Sequence, residues 1–168
     1  SANKSIVLYK QGWHSGIIGI VASRIKEIYN RPTIIISVDG EVGKGSCRSI
    51  QKFDIVDALR SCDTLLEGYG GHPMAAGLTI EERKLSQFIK EFEFHCSSNL
   101  DEKSLASIII IDADINLSDI NTRMINFLKY LEPFGPKNAK PRFMSRNVFV
   151  DGIPRIIGKD QSTIKFSV

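Results

Sequence analysis

Cysteine is scarce in this chain of 168 residues: Cys47, Cys62 and Cys96 are three in number, and no two of them stand in a CxxC spacing. Such a set excludes a disulfide framework and argues against a cysteine zinc site. A reducing, cytoplasmic setting is expected, with the three thiols serving as small buried side chains. Histidine is as sparse. His14, His72 and His95 show neither HxH nor HxxxH spacing, which gives no histidine-built metal site. No apolar run approaches the ~20 residues of a membrane-spanning helix; the runs at 34–36 and 108–111 are of strand length. No stretch reads as a secretory signal. Aspartates and histidines do not cluster as two-metal hydrolysis requires. Asp112 and Asp114 stand two apart, but their strand leads away into the second part of the chain. A Walker loop, a nucleophile elbow and a pair of catalytic carboxylates are all missing.

What is present is an ordinary globular composition, with 42% hydrophobic and 24% charged residues. The length allows one domain or two small ones, each with a usable core. A formal net charge of +3 permits a nucleic-acid partner, as a solvated Lys/Arg surface also would.

The first half alternates strand and helix signals. Strands are expected at 6–9, 33–38, 42–47 and 75–80. A helix is expected over 16–29, with Ile17, Val21, Ile25 and Ile28 on one face and Arg31-Pro32 closing it. Asp39-Gly40 marks a hairpin-type turn, and Asp54 an N-cap for a helix over 55–62. Leu85, Phe88, Ile89, Phe92 and Cys96 make an amphipathic helix. The pattern predicts an α/β domain, a mixed sheet with flanking helices, over residues 1–98. The polar stretch 97–103 reads as a linker. Beyond it the pattern changes to a strand at 108–111, a helix capped by Ser118 or Asp119 and running to about Leu131, a long loop over 132–141, and short strands at 142–150, 153–158 and 163–168. This predicts a partial OB-like β-barrel over residues 99–168. The last stretch alternates like a strand and then stops, which reads as a piece cut from a longer protein.

Two segments stand apart from this frame. In Gly43-Lys-Gly-Ser-Cys-Arg-Ser49 an arginine is framed by serines and glycines. Its planar fork can hold two oxygens of one phosphate, with hydroxyls and glycine amides as further donors. Strand alternation puts Ser46 and Arg48 on one face; the plainer reading is an exposed arginine on an edge strand. In Tyr69-Gly-Gly-His-Pro-Met-Ala-Ala-Gly77 two glycines allow a sharp, Cβ-free loop that delivers His72. The imidazole can donate to a phosphate oxygen, or it simply caps the turn. The two segments are expected to be loops converging on a phosphate. Trp13-His-Ser-Gly16 opens the first helix, where free amides favour anions; alternatively Ser15 is a plain N-cap and Trp13 a core or interface anchor. His95 is expected on the exposed shoulder of its helix. A phosphate cradle without a reaction engine reads as half of an active site.

These residues resemble a known family. Trp13-His-Ser-Gly-Ile-Ile-Gly-Ile-Val-Ala-Ser-Arg-Ile25 with Tyr29-Asn-Arg-Pro32 is similar to the opening of the DHH-associated domain of RecJ-type single-strand DNA exonucleases. Gly45-Ser-Cys-Arg-Ser49, Ala58-Leu-Arg-Ser-Cys62 and Gly70-Gly-His-Pro-Met-Ala-Ala-Gly77 follow in matching order. Leu131-Glu-Pro-Phe-Gly135, with Asn138, Pro141 and Phe143, resembles the start of that family's OB-type domain. The family loop usually reads Gly-x-Gly-Asn-Pro; here Lys137 and Ala139 replace a glycine and a proline in Gly135-Pro-Lys-Asn-Ala139.

The resemblance implies a nuclease that degrades single-stranded DNA from the 5′ end in recombination and repair. Its Mn2+ or Mg2+ ions would sit in an N-terminal DHH domain whose motifs do not occur here, so no metal is expected in this fragment and the fragment alone is expected to be inactive. By the same resemblance Arg48, with Ser46 and Ser49, would grip phosphate near the 5′ end, and Gly70, Gly71 and His72 would hold phosphate beside the metals. Single-stranded DNA is the implied partner, with a single-strand-binding protein and a helicase as accessory ones. No membrane partner is implied, and a monomer is expected. Two other readings use the same residues: a DHH phosphodiesterase for short oligonucleotides or cyclic dinucleotides, and a non-catalytic single-strand nucleic-acid-binding module.

Overall fold

The β-branched run Thr33–Asp39 has no partner-free side: every residue from Thr33 to Val38 is buried, as a strand covered on both faces must be. The computed structural model describes residues 3–135, 137–158 and 162–168, and it divides into two units, Ser1–Ser107 and Ile108–Val168. In the first unit the elements run β1 (Ile6–Gln11), α1 (Ile18–Tyr29), β2 (Thr33–Asp39), β3 (Val42–Arg48), α2 (Ile55–Arg60), β4 (Leu66–His72), β5 (Ala75–Glu81), α3 (Leu85–Asn99) and α4 (Glu102–Leu105). The five strands form one mixed sheet in the order β1-β2-β3-β5-β4. Only β1 and β2 are parallel, joined by the α1 crossover; the other neighbours are antiparallel.

Alternation along the strands gives the sheet two unlike faces. Ile34, Ile36, Cys47, Ala76, Leu78 and Ile80 pack with Ile55 and Leu59 of α2 and with Leu85, Phe88, Phe92 and Cys96 of α3, forming the main core. The other face carries α1 through a small cluster of Ile18, Ala22 and Ile35, backed by Trp13 and Ile25. The buried stripe of α1 is therefore Ile18–Ala22–Ile25, rotated from the expected one. Ile17 and Ile28 are exposed, because a helix laid across only part of a sheet needs a narrow contact and α1 has apolar residues to spare.

Caps and anchors account for several boundaries. Asp54 Oδ1 accepts the amides of Val56 and Asp57 at 2.9 and 3.2 Å and opens α2 as the sequence predicts. Helix α1 has no side-chain cap; Ile17 stands at its N-cap instead of Ser15. The Glu93 carboxylate on α3 accepts the Lys4 and Ser5 amides at 2.8 and 2.9 Å and the Ser5 and Ser97 hydroxyls at 2.5 and 2.9 Å, tying the start of the chain to the core layer. Partial burial works against its charge, but these donors prevail and hold its pKa below the usual glutamate value. His95 is not a solvated shoulder residue: its ring meets Phe53 edge-on, with centroids 6.0 Å apart.

The glycine stretch is not a loop. It is a strand, β4, turned back through Pro73–Met74 onto β5, so its backbone groups are satisfied by a ladder. The second unit comprises β6 (Ala113–Asp114), α5 (Thr122–Lys129), β7 (Phe143–Met144), β8 (Asp151–Ile157) and β9 (Thr163–Ser167). β6 pairs parallel with β7, and β8 antiparallel with β9. These are two separate two-stranded sheets, and no barrel closes among the described residues. Pro154 within β8 removes a ladder donor, and the register slips between Asp151 and Arg155. Residues 108–111 do not form a strand; Ile108–Ile110 stand exposed. Asn121 caps α5, its Oδ1 accepting the Met124 amide at 3.0 Å, in place of Ser118 or Asp119. In the loop over 132–141, Asn138 Nδ2 donates to the Leu131 and Pro133 carbonyls at 2.8 and 2.9 Å, and Lys137 has a φ of 72° where the resembled loop has glycine. Pro136 of that loop lies outside the described residues.

Candidate nucleic-acid interface

Residues directly opposite across antiparallel strands share a face, so the register defines rows. Arg48, Ala75 and His72 form one row. Ser46, Gly77 and Gly70 form the next, and Lys44, Thr79 and Gly68 the third. All three lie on the α1 face, beyond the edge of α1. The floor is therefore paved with glycine, alanine and threonine, bounded on one side by α1 and β3. A hollow of about 430 Å³ lies over its middle, lined by residues that include Lys44, Gly68, Gly70, Gly77 and Thr79.

Arg48 is held in place by neutral groups. Its Nε donates to Ser23 Oγ at 3.0 Å, and its Nη1 donates to Ser46 Oγ at 3.0 Å and to the Cys47 carbonyl at 2.8 Å. Ser23 Oγ donates in turn to the Gly19 carbonyl at 3.0 Å. None of the ion pairs among the described residues involves Arg48. Nη2 carries no hydrogen bond among the described residues and lies 3.1 Å from where a Cβ on Gly19 would stand. A half-buried guanidinium oriented by hydroxyls, uncompensated by a carboxylate, has donors left for an anion.

His72 ends β4 in the same row, two strands from Arg48, about 10 Å at sheet spacing. It is exposed, and its imidazole makes no hydrogen bond among the described residues. Its turn is pinned beside Arg48: the Met74 carbonyl accepts the Ser49 amide at 2.9 Å and the Pro73 carbonyl accepts the Ile55 amide at 3.0 Å.

The two glycines part company. Gly70 faces the open floor, and a Cβ there would meet nothing within 4 Å. Gly71 faces the core side with φ at +148°, and a Cβ would stand 2.4 Å from the Ala75 carbonyl oxygen. Gly71 shapes the hairpin. Ser49 does not reach the floor: it is fully buried and its hydroxyl donates to the Phe53 carbonyl at 2.6 Å. Ser46, Arg48, Gly70 and His72 are thus brought together on one face, and Gly71 and Ser49 stand behind it. Sequence reading missed Ser23 and Gly19. Their signal was a spacing of four along α1, which places them on one helix edge.

Burial pushes the Cys47 thiol up to about 12, against the lowering pull of Arg48, so it stays protonated and inert. Among the described residues no group of three or more His, Cys, Asp or Glu side chains is placed to hold a metal ion, and no helix is long and apolar enough to cross a membrane. The arrangement can bind and neutralise phosphate.

The DHHA1 domain family matches residues 2–97, and the RecJ OB domain family matches residues 111–168. The single-stranded-DNA-specific exonuclease RecJ of Bacillus subtilis (strain 168) is 32% identical over 166 residues, covering 98% of this chain and 21% of its own length. The crystal structure of RecJ in complex with Mn2+ from Thermus thermophilus superimposes with a TM-score of 0.82 at 31% identity, over 99% of this chain and 24% of that one. The Mg2+ complex from the same organism gives 0.73 at 33% identity, over 83% and 21%. The chain therefore spans only about a fifth to a quarter of the length of these relatives.

Proposed function

Since the chain belongs to the DHHA1 domain family and continues into a RecJ OB domain, we propose that it forms the substrate-binding part of a single-stranded-DNA-specific 5′→3′ exonuclease acting in recombination and repair, in the cytoplasm. The observation that carries this reading is Arg48: a guanidinium fixed by Ser23 and Ser46, without a carboxylate partner, beside a floor of glycines that lets a strand lie close. Arg48 and Ser46 take the 5′-phosphate, and His72 with the Gly70 backbone takes a phosphate across the floor. Gly71 and Ser49 hold β4 and the end of β3 in shape. Residues 1–98 carry this role, and residues 99–168 belong to an OB-like barrel that receives the strand.

Hydrolysis in this reading is metal-assisted attack of water on a phosphodiester. In this proposal the Mn2+ or Mg2+ is held by residues outside these 168, which span about a fifth to a quarter of the metal-bound RecJ structures they resemble. A phosphodiesterase for short oligonucleotides or cyclic dinucleotides needs no strand-receiving domain, and the RecJ OB match speaks against it.

Competition tests the reading. Linear single-stranded DNA with a 5′-phosphate is expected to displace a labelled strand, and circular single-stranded DNA of the same length much less. Equal displacement by both would return the chain to a general single-strand binder. Incubation with Mn2+ and single-stranded DNA is expected to give no cleavage; robust nuclease activity would refute the assignment of the reaction to residues elsewhere.

A further inference from the structure

The floor around Arg48 leaves a second hollow on the same sheet face without a role. A cleft of about 490 Å³ is lined by residues that include Trp13, His14, Ser37, Asp39 and Lys44. It lies at the carboxyl ends of the parallel strands β1 and β2, the end of such a crossover unit at which open sheets receive ligands. Ser37 and Lys44 are register partners, so Lys44 projects from the same face as Arg48, four residues along β3, about 13 Å away.

Each wall offers a different chemistry. Trp13 is half-buried; it backs the cluster of Ile18, Ala22 and Ile35, and its carbonyl accepts the Ser37 hydroxyl at 2.5 Å. The indole is thereby fixed while still lining the cleft. Lys44 is exposed and its ammonium takes part in no hydrogen bond or ion pair among the described residues, although Asp39 lines the same cleft. A ligand that is only an anion would gain from the ammonium and lose to the carboxylate. A ligand with a flat apolar ring, one phosphate and N–H or O–H donors satisfies all three groups. A nucleotide has that make-up: its base stacks on indole, its phosphate meets the ammonium, and sugar or base donors turn to the carboxylate.

We propose that this cleft is a second nucleotide subsite, in which a strand held at its 5′-phosphate by Arg48 lays a neighbouring nucleotide between Trp13, Lys44 and Asp39. The proposal rests on the single-strand reading given above and extends it along β3.

Trp13 is the only tryptophan of the chain, so its fluorescence reports on this cleft. Titration of the full chain with dAMP is expected to change the emission saturably, and inorganic phosphate at equal concentration is not. Lys44→Ala should weaken dAMP on the order of tenfold, the scale of one charge-assisted contact. Asp39→Asn should narrow the preference for dAMP over phosphate. Both side chains are exposed, so neither change threatens the fold. Arg48-dependent binding of 5′-phosphorylated single-stranded DNA with unmoved Trp13 emission and a neutral Lys44→Ala would overturn the subsite and leave the single-strand reading intact. Should the strand fail to bind at all, that reading falls, and the dAMP titration still decides the subsite: Lys44-dependent saturation upholds it, a flat emission overturns it.

Discussion

At the scale of single residues, the glycines separate what the fold needs from what a ligand needs. Gly71 is required by backbone geometry, since its φ is +148° and a side chain would collide with the Ala75 carbonyl. Gly71→Ala should cost about 2–4 kcal/mol of stability, read by urea or thermal denaturation; an unchanged midpoint would contradict the hairpin geometry. Gly77 is the opposite case. A Cβ there would meet only the Gly45 carbonyl oxygen at 3.7 Å, an ordinary contact, and glycine inside a strand is itself unfavourable. Gly77→Val should leave stability unchanged or raise it by up to about 1 kcal/mol, while weakening single-stranded DNA binding about tenfold or more by filling the floor. The sequence made the Ser46–Arg48 pair legible, because alternation alone puts residues two apart on one face. It did not reveal that Ser49 turns inward or that Gly70 and Gly71 face opposite ways, because both depend on where the ladder starts.

At the scale of elements, strands with β-branched runs and helices with clear caps or stripes were legible: β2, α2 and α3 lie where periodicity and Asp54 put them. β4 was not, since Gly68, Gly70 and Gly71 carry almost no strand propensity and the pairing with β5 supplies the order instead. The stripe of α1 was misjudged because apolar residues ring much of that helix, and only the sheet decides which of them are covered. In the second unit, Ile108–Ile110 had the composition of a strand but found no partner strand among the described residues. One element contact titrates. Glu93 joins the start of the chain to α3, and its pKa is lowered in the folded state. A lowered carboxylate contributes stability that is present above the unfolded glutamate value and is lost as pH falls through the folded one. Glu93→Gln removes acceptors facing the Ser5 amide and hydroxyl and should cost about 1–2 kcal/mol near neutrality. The gap to wild type should shrink below about pH 4.3, the ordinary glutamate value; parallel stability curves from pH 7 to pH 3 would contradict the linkage.

At the scale of the whole molecule, the two units differ in kind. The first has a continuous core on one sheet face and a smaller cluster on the other. No described residue from Ile108 to Val168 is buried, and Phe127, Tyr130, Phe149 and Ile153 are largely exposed. A polypeptide of residues 1–107 should therefore unfold cooperatively, whereas residues 108–168 alone should show no cooperative transition; a sharp thermal transition in the second piece would contradict this. Domain type was legible in the switch from alternating strands and helices to short strands. That no barrel closes among the described residues was not, since short strands and turns read alike whether or not they close.

Whether Arg48 reads a strand's 5′-phosphate is decided by one anisotropy comparison: a labelled single-stranded DNA with a 5′-phosphate against its 5′-hydroxyl twin, on wild type and Arg48→Ala. The phosphorylated strand is expected to bind roughly tenfold more tightly, the scale of a charge-assisted pair, and Arg48→Ala to lose that preference. Equal binding of both strands by the wild-type chain, unchanged in Arg48→Ala, would contradict it.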